Sequence, residues 1–255
     1  MSFSIDTSWS GKVAVLTFRD AGRNNRICWA AVDALGATLK ECREAGARAV
    51  VLASGLEGHW LEHAWLVDLM SGAQGGEQTG SGAGWFTVQK ELTHEDVVSI
   101  AAIAGSASGG GAEIAWACDI RIAEPQACFA QPEVNMGLTT GIGGCSRLAR
   151  LAGRAAALDM VLTGSVVSAE RLYDLGAITR LVPQGEALDQ ALTLALQLAE
   201  KSADALSGLK KILVPGCDLP LDEALRHEQS VFQSVVVTER ALSDMRSVQS
   251  GYEET

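Results

Sequence analysis

The spacing of apolar positions divides the chain into short buried strands and amphipathic helices. Apolar runs at residues 13–18, 49–53 and 100–103 are typical of strands that are buried on both faces. A helix is predicted over 29–44, because Val32 and Leu39 recur on one helical face. Polar and glycine-rich residues separate these runs, so the first half of the chain is predicted to alternate strands with helices.

The second half is predicted to end in a helical region. Helices are expected over 148–162 and 169–175, a strand over 178–182, and mostly helix from Ala187 onward. The pattern indicates an α/β fold, which we divide into a core domain, 1–185, and a helical region, 186–255. Segment 71–84 is rich in Gly, Ser, Gln and Thr, so we expect a mobile loop or disordered insertion there.

Composition narrows the classes of partner. The 255 residues carry a formal net charge of −11, which argues against nucleic acid or an anionic membrane as a partner. The sequence shows neither a secretory signal nor an apolar run approaching the roughly 20 residues of a membrane span, so we expect a cytoplasmic protein. The cysteines are scattered without a CxxC pair, so we expect reduced thiols and no metal site: Cys28, Cys42, Cys118, Cys128, Cys145 and Cys217.

A triglycine turn follows the strand predicted at 100–103. Gly109, Gly110 and Gly111 lead into an apolar run with helical spacing. A helix start of this kind offers backbone N–H groups without a Cβ to block an incoming oxygen, which is how an oxyanion hole is built. The glycines do not match a phosphate loop, a dinucleotide fingerprint or a nucleophile elbow.

Two carboxylates near this turn are candidates for acid–base chemistry. Glu113 falls near the third position of the predicted helix, where it could instead cap that helix. Glu133 follows Pro132 in a predicted turn, where a lone carboxylate is more often simply solvated. Together beside the glycines, the two could hold one water and share the acid and base roles.

A second candidate segment follows the strand at 49–53. Glu62 and His63 lie in residues 59–65, a stretch that holds two histidines and two tryptophans. Its place after a strand end favours a functional site, and aromatic packing is the alternative. Cys145, in a glycine-rich turn, could be a nucleophile, but a small buried apolar residue is the favoured interpretation.

Several linked motifs, in order, resemble the crotonase (enoyl-CoA hydratase/isomerase) superfamily over about residues 13–182, and the helical tail is also similar. They are Ile103-x-Gly105-x-Ala107-x-Gly-Gly-Gly-x-Glu113, Cys118-Asp-Ile-Arg-Ile-Ala123, Phe129-x-Gln-Pro-Glu133, and Gly137 through Ile142-Gly-Gly to Arg147-Leu148. The resemblance implies a crotonase-like spiral core of ββα repeats with a helical C-terminal trimerisation region. It also implies a homotrimer or hexamer that acts on an acyl-CoA thioester without another cofactor.

The resemblance also assigns roles to residues. The N–H groups of Gly110 and of Glu62 or a neighbour would stabilise an enolate. Glu133 would deliver a proton to the substrate Cα, while Glu113 would orient and activate water. Arg26 and Ala64 would contribute to binding the CoA thioester.

One segment departs from the family pattern. A stretch that usually reads Phe-Ser-Ala-Gly-Ala-Asp-Leu is Trp60-Leu-Glu-His-Ala-Trp-Leu66 here. A histidine in this loop resembles members that hydrolyse C–C bonds of cyclic diketones. The first hypothesis, based on the two glutamates of the linked motifs, remains an enoyl-CoA hydratase. The alternatives are an enoyl-CoA isomerase, a C–C hydrolase that uses His63 with Glu133, or a ligand-binding member without turnover.

Overall fold

The protein is built from repeated turns of chain, each contributing a long strand, a short strand and a helical segment. The computed structural model describes residues 3–216 and 218–253. The strands are β1 Ser4–Ser10, β2 Val13–Arg19, β3 Arg26–Ile27, β4 Ala49–Ser54, β5 Glu62–Ala64, β6 Val98–Ile103, β7 Ala107–Ser108, β8 Ile120–Ala123, β9 Cys128–Ala130, β10 Val166–Ser168 and β11 Arg180–Leu181. The helices are α1 Trp29–Glu44, α2 Leu66–Ala73, α3 Gly84–Leu92, α4 Gly109–Ala117, α5 Gly144–Ala152, α6 Arg154–Thr163, α7 Ala169–Asp174, α8 Ala187–Ala199, α9 Ala203–Gly216, α10 Leu221–Val236 and α11 Glu239–Glu253, with a 3-10 helix at Glu133–Met136.

The long and short strands form separate sheets. The long strands and the two-residue β11 give the order β1-β2-β4-β6-β8-β11, in which β1 and β2 are antiparallel and the other neighbours are parallel. The short strands pair as β3-β5 and as β10-β9-β7. This arrangement confirms the spiral core of ββα repeats and the helical C-terminal region.

Alternating residues of the long strands serve two cores. Leu16 and Leu52 pack with helices on one face of the six-stranded sheet. Val15 and Val51 face the opposite side, where they pack with residues of α8. The parallel strands are therefore apolar on both faces, which explains their continuous apolar runs in the sequence.

The helical tail folds back onto the core at its start. Helix α8 packs on β2, β4, β6 and β8. Lys210 of α9 then forms an ion pair with Asp119 at 2.7 Å and donates to the carbonyl of Val97 at 2.6 Å. Helix α10 packs on α9, and α11 contacts α10. The domain division at residues 185 and 186 stays a prediction, with α8 beginning at Ala187.

Three expectations from the sequence need correction. Segment 71–84 is not a disordered insertion, because Asp68 accepts from Thr79 and Asp33 accepts from Ser81 and Gly84. The single helix predicted over 148–162 is two helices, since Gly153 takes a φ of 82° between them. The strand predicted over 178–182 is limited to β11.

Other expectations concern cysteines and membranes. Of the six cysteines, Cys217 lies outside the described residues, and the other five are free thiols. Cys145 is exposed, so its interpretation as a buried apolar residue is wrong. Within 3–216 and 218–253, none of the helices combines the length and apolarity that crossing a membrane requires.

Candidate active site

The segments that follow β4 and β6 lie side by side and carry most of the predicted site. Trp60 donates its N–H to the carbonyl of Ser106 at 2.7 Å, and Ser106 donates its own to Gly58 at 3.0 Å. They border a cavity of about 280 Å³. Its wall includes His63, Ala64, Gly110, Glu113 and Glu133, with apolar surface from Leu66, Leu69, Trp85, Met136, Leu138 and Ile142.

The triglycine turn is the start of α4, and its glycines are required by close packing. A Cβ on Gly110 would lie 2.6 Å from the Trp85 ring, and one on Gly111 would lie 2.0 Å from the carbonyl oxygen of Leu61. Gly109 has a φ of 47°, which favours glycine. Gly110 is the second residue of the helix, so its N–H has no intrahelical carbonyl partner.

Glu113 holds the turn before the next helix rather than capping its own. It is the fifth residue of α4 and only 3% exposed. Its Oε1 accepts hydrogen bonds from the N–H groups of Ile142 at 2.9 Å and Gly144 at 2.7 Å. The capping alternative is therefore wrong. The carboxylate instead contacts the N-terminus of α5, where the helix dipole favours negative charge.

A cation, Arg147, lies near Glu113 without lining the cavity. Arg147 donates to the carbonyl of Ile142 at 2.9 Å and to the side chain of Gln89. Burial lowers the pKa of Arg147, while the nearby Glu113 acts to raise it. The negative charge of Glu113 therefore helps to keep Arg147 protonated.

Glu133 begins the 3-10 helix and is half-buried. Burial raises its pKa to about 6, and the neighbouring charge of Glu113 adds to the rise. Gln131 is fully buried behind it. With its amide oriented to satisfy both neighbours, Gln131 accepts from Trp116 Nε1 at 3.0 Å and donates to Glu133 Oε1 at 3.0 Å. That hydrogen bond holds the carboxylate in one orientation.

The backbone of Glu62 is not placed as expected. Its N–H donates to the carbonyl of Asn25 at 3.0 Å, as part of the pairing between β3 and β5. This hydrogen bond contradicts the expectation that the Glu62 N–H is the second donor of an oxyanion hole. The N–H of His63 is also engaged, on Ser108 Oγ at 3.1 Å. Of this short strand, His63 and Ala64 border the cavity.

Both ring nitrogens of His63 have partners. Arg26 Nε donates to Nε2 at 3.2 Å, and Nδ1 lies 2.9 Å from the carbonyl oxygen of Ala64. These contacts fit a neutral imidazole with its proton on Nδ1. Arg26 thus lies against the His63 ring. The predicted contribution of Arg26 and Ala64 to CoA binding stays a prediction.

Three side chains that sequence reasoning did not single out shape this site. Gln131 orients Glu133, Trp85 packs over Gly110, and Ser108 binds the His63 N–H. Gln131 had a signal, because it stands inside the Phe129-x-Gln-Pro-Glu133 motif. Trp85 and Ser108 had none, since their roles depend on the close approach of distant segments.

Comparison with known proteins gives a consistent family. The Enoyl-CoA hydratase/isomerase family model matches residues 8–254. The carnitinyl-CoA dehydratase of Salmonella enteritidis is 32% identical over 247 residues, covering 95% of this chain and 94% of that protein. A protein of Mycobacterium bovis named probable enoyl-CoA hydratase is 36% identical over 157 residues. That match covers 62% of this chain and 61% of the Mycobacterium protein.

Solved structures match over nearly the whole chain. An enoyl-CoA hydratase subunit of Geobacillus kaustophilus superimposes with a TM-score of 0.87 at 26% identity, covering 97% of this chain and 95% of that one. The enoyl-CoA hydratase EchA1 of Mycobacterium marinum gives 0.85 at 25% identity, covering 97% and 96%.

Proposed function

The chain belongs to the enoyl-CoA hydratase/isomerase family, and on that premise we propose that it adds water to a 2-enoyl-CoA thioester. The observation that carries the proposal is the meeting of Glu113, Glu133 and Gly110 at one cavity. A hydratase needs two groups that handle the protons of water and a donor that stabilises the enolate oxygen. The apolar part of the wall suits an acyl chain.

The thioester oxygen is assigned to two backbone donors. Gly110 supplies one N–H from the start of α4, where the helix dipole adds positive potential. We assign the second to Ala64, because the N–H groups of Glu62 and His63 have protein partners and Ala64 borders the cavity. One such donor is typically worth about 3 kcal/mol in the transition state.

The two carboxylates divide the proton transfers. Glu113 Oε1 is held by two N–H groups, so we assign Oε2 to the water and its departing proton. Glu133 begins the cycle protonated, consistent with a pKa of about 6, and gives its proton to the substrate Cα. Water oxygen attacks Cβ as the π electrons move toward the thioester, so a proton leaves Glu133 and one arrives at Glu113. After the product leaves, transfer of that proton from Glu113 back to Glu133 across the shared cavity restores the starting state.

The C–C hydrolase alternative is less well supported. A histidine acting as a base must have a nitrogen available to the substrate. In His63, Arg26 occupies Nε2 and the carbonyl of Ala64 lies on Nδ1. An isomerase would need only one of the two carboxylates for proton shuttling, so the pair at the cavity favours hydration.

The test compares two substrate classes on the purified protein. Loss of the enoyl absorbance of crotonyl-CoA is expected with the wild type and with His63→Ala, whose rate should fall only modestly. A cyclic diketone should not be cleaved. Diketone cleavage that His63→Ala abolishes would instead establish the hydrolase, whereas binding of crotonyl-CoA without turnover would establish the ligand-binding role.

The assembly is proposed as a homotrimer or hexamer, acting on acyl-CoA with no further cofactor. Large apolar side chains of the last helices, including Leu213, Leu221 and Phe232, are more than half exposed in the single chain. Exposed apolar patches of this kind are typical of subunit contacts. Light scattering on the eluting protein should give the mass of three or six chains, and a monomer at micromolar concentration would contradict the proposal.

A further inference from the structure

A buried carboxylate belongs to β5, the short strand that would supply the second donor. The side chain of Glu62 belongs to a residue only 8% exposed. Its Oε1 accepts from Ser106 Oγ and lies 2.8 Å from His59 Nδ1. Its Oε2 accepts from Ser108 Oγ at 2.5 Å. One carboxylate therefore joins β5 to the chain that enters α4.

The cluster is not a nucleophilic triad. In such a triad the serine and the acid contact opposite nitrogens of the histidine ring. Here Ser106 Oγ, at 3.2 Å, and Glu62 Oε1 both face Nδ1 of His59. The cluster also does not line the cavity, which His63 and Ala64 border instead. Its contacts are with protein groups, so its role concerns their positions.

Ser108 is the residue through which this cluster reaches both donors. It is the N-cap residue of α4, two positions before Gly110. Its hydroxyl donates to Glu62 and accepts the N–H of His63, the residue before Ala64. The same oxygen therefore contacts the strand of one proposed donor and belongs to the helix start of the other.

We propose that the Glu62 carboxylate and the Ser108 hydroxyl are positioning groups that set the separation of the Gly110 and Ala64 N–H groups. The inference rests on the proposed function, because it concerns the oxyanion hole which that function requires. The charged carboxylate must accept, so it directs the Ser108 proton toward itself and leaves the Ser108 lone pair for the His63 N–H. A neutral amide at position 62 does not impose that direction.

Matched serine variants separate this role from simple structural support. Ser108→Ala removes the contact with the His63 N–H, whereas Ser106→Ala removes another hydroxyl of the same carboxylate and leaves that contact in place. Displacements of about 1 Å can cost a hundredfold in rate, so we expect Ser108→Ala to lower kcat at least about tenfold. The KM of Ser108→Ala should change little. The kcat of Ser106→Ala should stay within about threefold of the wild-type value. Glu62→Gln, which keeps the size of the side chain, should resemble Ser108→Ala.

A spectroscopic readout makes the test independent of turnover. Acetoacetyl-CoA gains ultraviolet absorbance as its enolate, which N–H donors aimed at the thioester oxygen stabilise. The wild type and Ser106→Ala should show this absorbance at a pH where the free thioester does not, while Ser108→Ala and Glu62→Gln should show less. The thermal midpoints of the two serine variants should be similar.

The outcomes distinguish the two proposals. If the wild type forms the enolate and Ser108→Ala forms less of it, but the wild type hydrates no enoyl-CoA, the positioning role of Glu62 and Ser108 stands and the hydratase proposal fails. If the wild type hydrates and the two serine variants match in kcat and in enolate absorbance, the positioning role is overturned and the hydratase proposal stands. A wild type without the enolate absorbance overturns the positioning role as well.

Discussion

The carboxylate of Glu113 accepts a hydrogen bond from the backbone N–H of Gly144 at 2.7 Å, and this contact joins α4 to the start of α5. The N–H of Ile142 donates to the same carboxylate, so the glycine-rich turn before α5 is held by one buried side chain. The residue assigned to activate water therefore also stabilises the fold. Its chemical and structural contributions can be separated with two substitutions.

Replacement of Glu113 by Gln and by Ala should give the same loss of hydration but different stabilities. Glu113→Gln keeps an oxygen for the two N–H groups, whereas Glu113→Ala leaves both without it in a buried setting. The alanine variant should lose about 1–3 kcal/mol more of unfolding free energy, measured by urea titration. Equal stability of the two variants would show that the turn does not depend on this contact.

Glu133→Gln should abolish hydration and yet raise stability at alkaline pH. Because the native pKa is raised from 4.5 to about 6, the native state holds this proton more tightly than the unfolded state. The resulting stability is complete below pH 4.5 and is lost as pH rises through about 6, by ~2 kcal/mol at most. The variant should therefore melt above the wild type at pH 8, with the gap closing toward pH 4. A gap that is independent of pH would argue against a buried charge at Glu133.

The pH dependence of turnover follows from the same proton. Hydration consumes no net proton, so both directions of the reaction need the carboxylate pair to hold one proton. The value of kcat/KM should fall above about pH 6 for hydration and for dehydration alike, as Glu133 ionises in the free enzyme. Their ratio should stay constant. Flat profiles from pH 5 to 8 would contradict the division of roles.

Gly110→Ala should disrupt the donor through steric contact with Trp85. The added Cβ would lie 2.6 Å from the indole ring, so either the ring or the helix start must move. The variant should lose hydration and thermal stability, and adding Trp85→Leu should restore much of the stability by making room. The double-mutant cycle measures that coupling, and strict additivity would show that the two residues do not compete for space.

Much of the fold could be predicted because its signals are local. The apolar runs of β4 and β6 and the spacing of α1 are readable from neighbouring residues. The order of segment 71–84 cannot be read from its own composition, because its anchors, Asp33 and Asp68, lie outside it. The split between α5 and α6 depends on Gly153, whose conformation a helical pattern does not reveal.

The site shows the same limit. Glu113, Glu133 and Gly110 were found by motif, and they border one cavity. The availability of a backbone N–H depends on strand register, so the engagement of Glu62 with Asn25 has no sequence signal. The engaged nitrogens of His63 likewise result from Arg26 and a local carbonyl.

Hydration of crotonyl-CoA by the wild type and by Glu133→Gln, followed as loss of enoyl absorbance under identical conditions, tests the central claim most directly. The proposed mechanism predicts steady conversion by the wild type and a rate at least about a hundredfold lower for the variant, in line with the usual worth of general acid–base catalysis. A wild type that hydrates no enoyl thioester of any chain length, or a Glu133→Gln variant that keeps the wild-type rate, would contradict it.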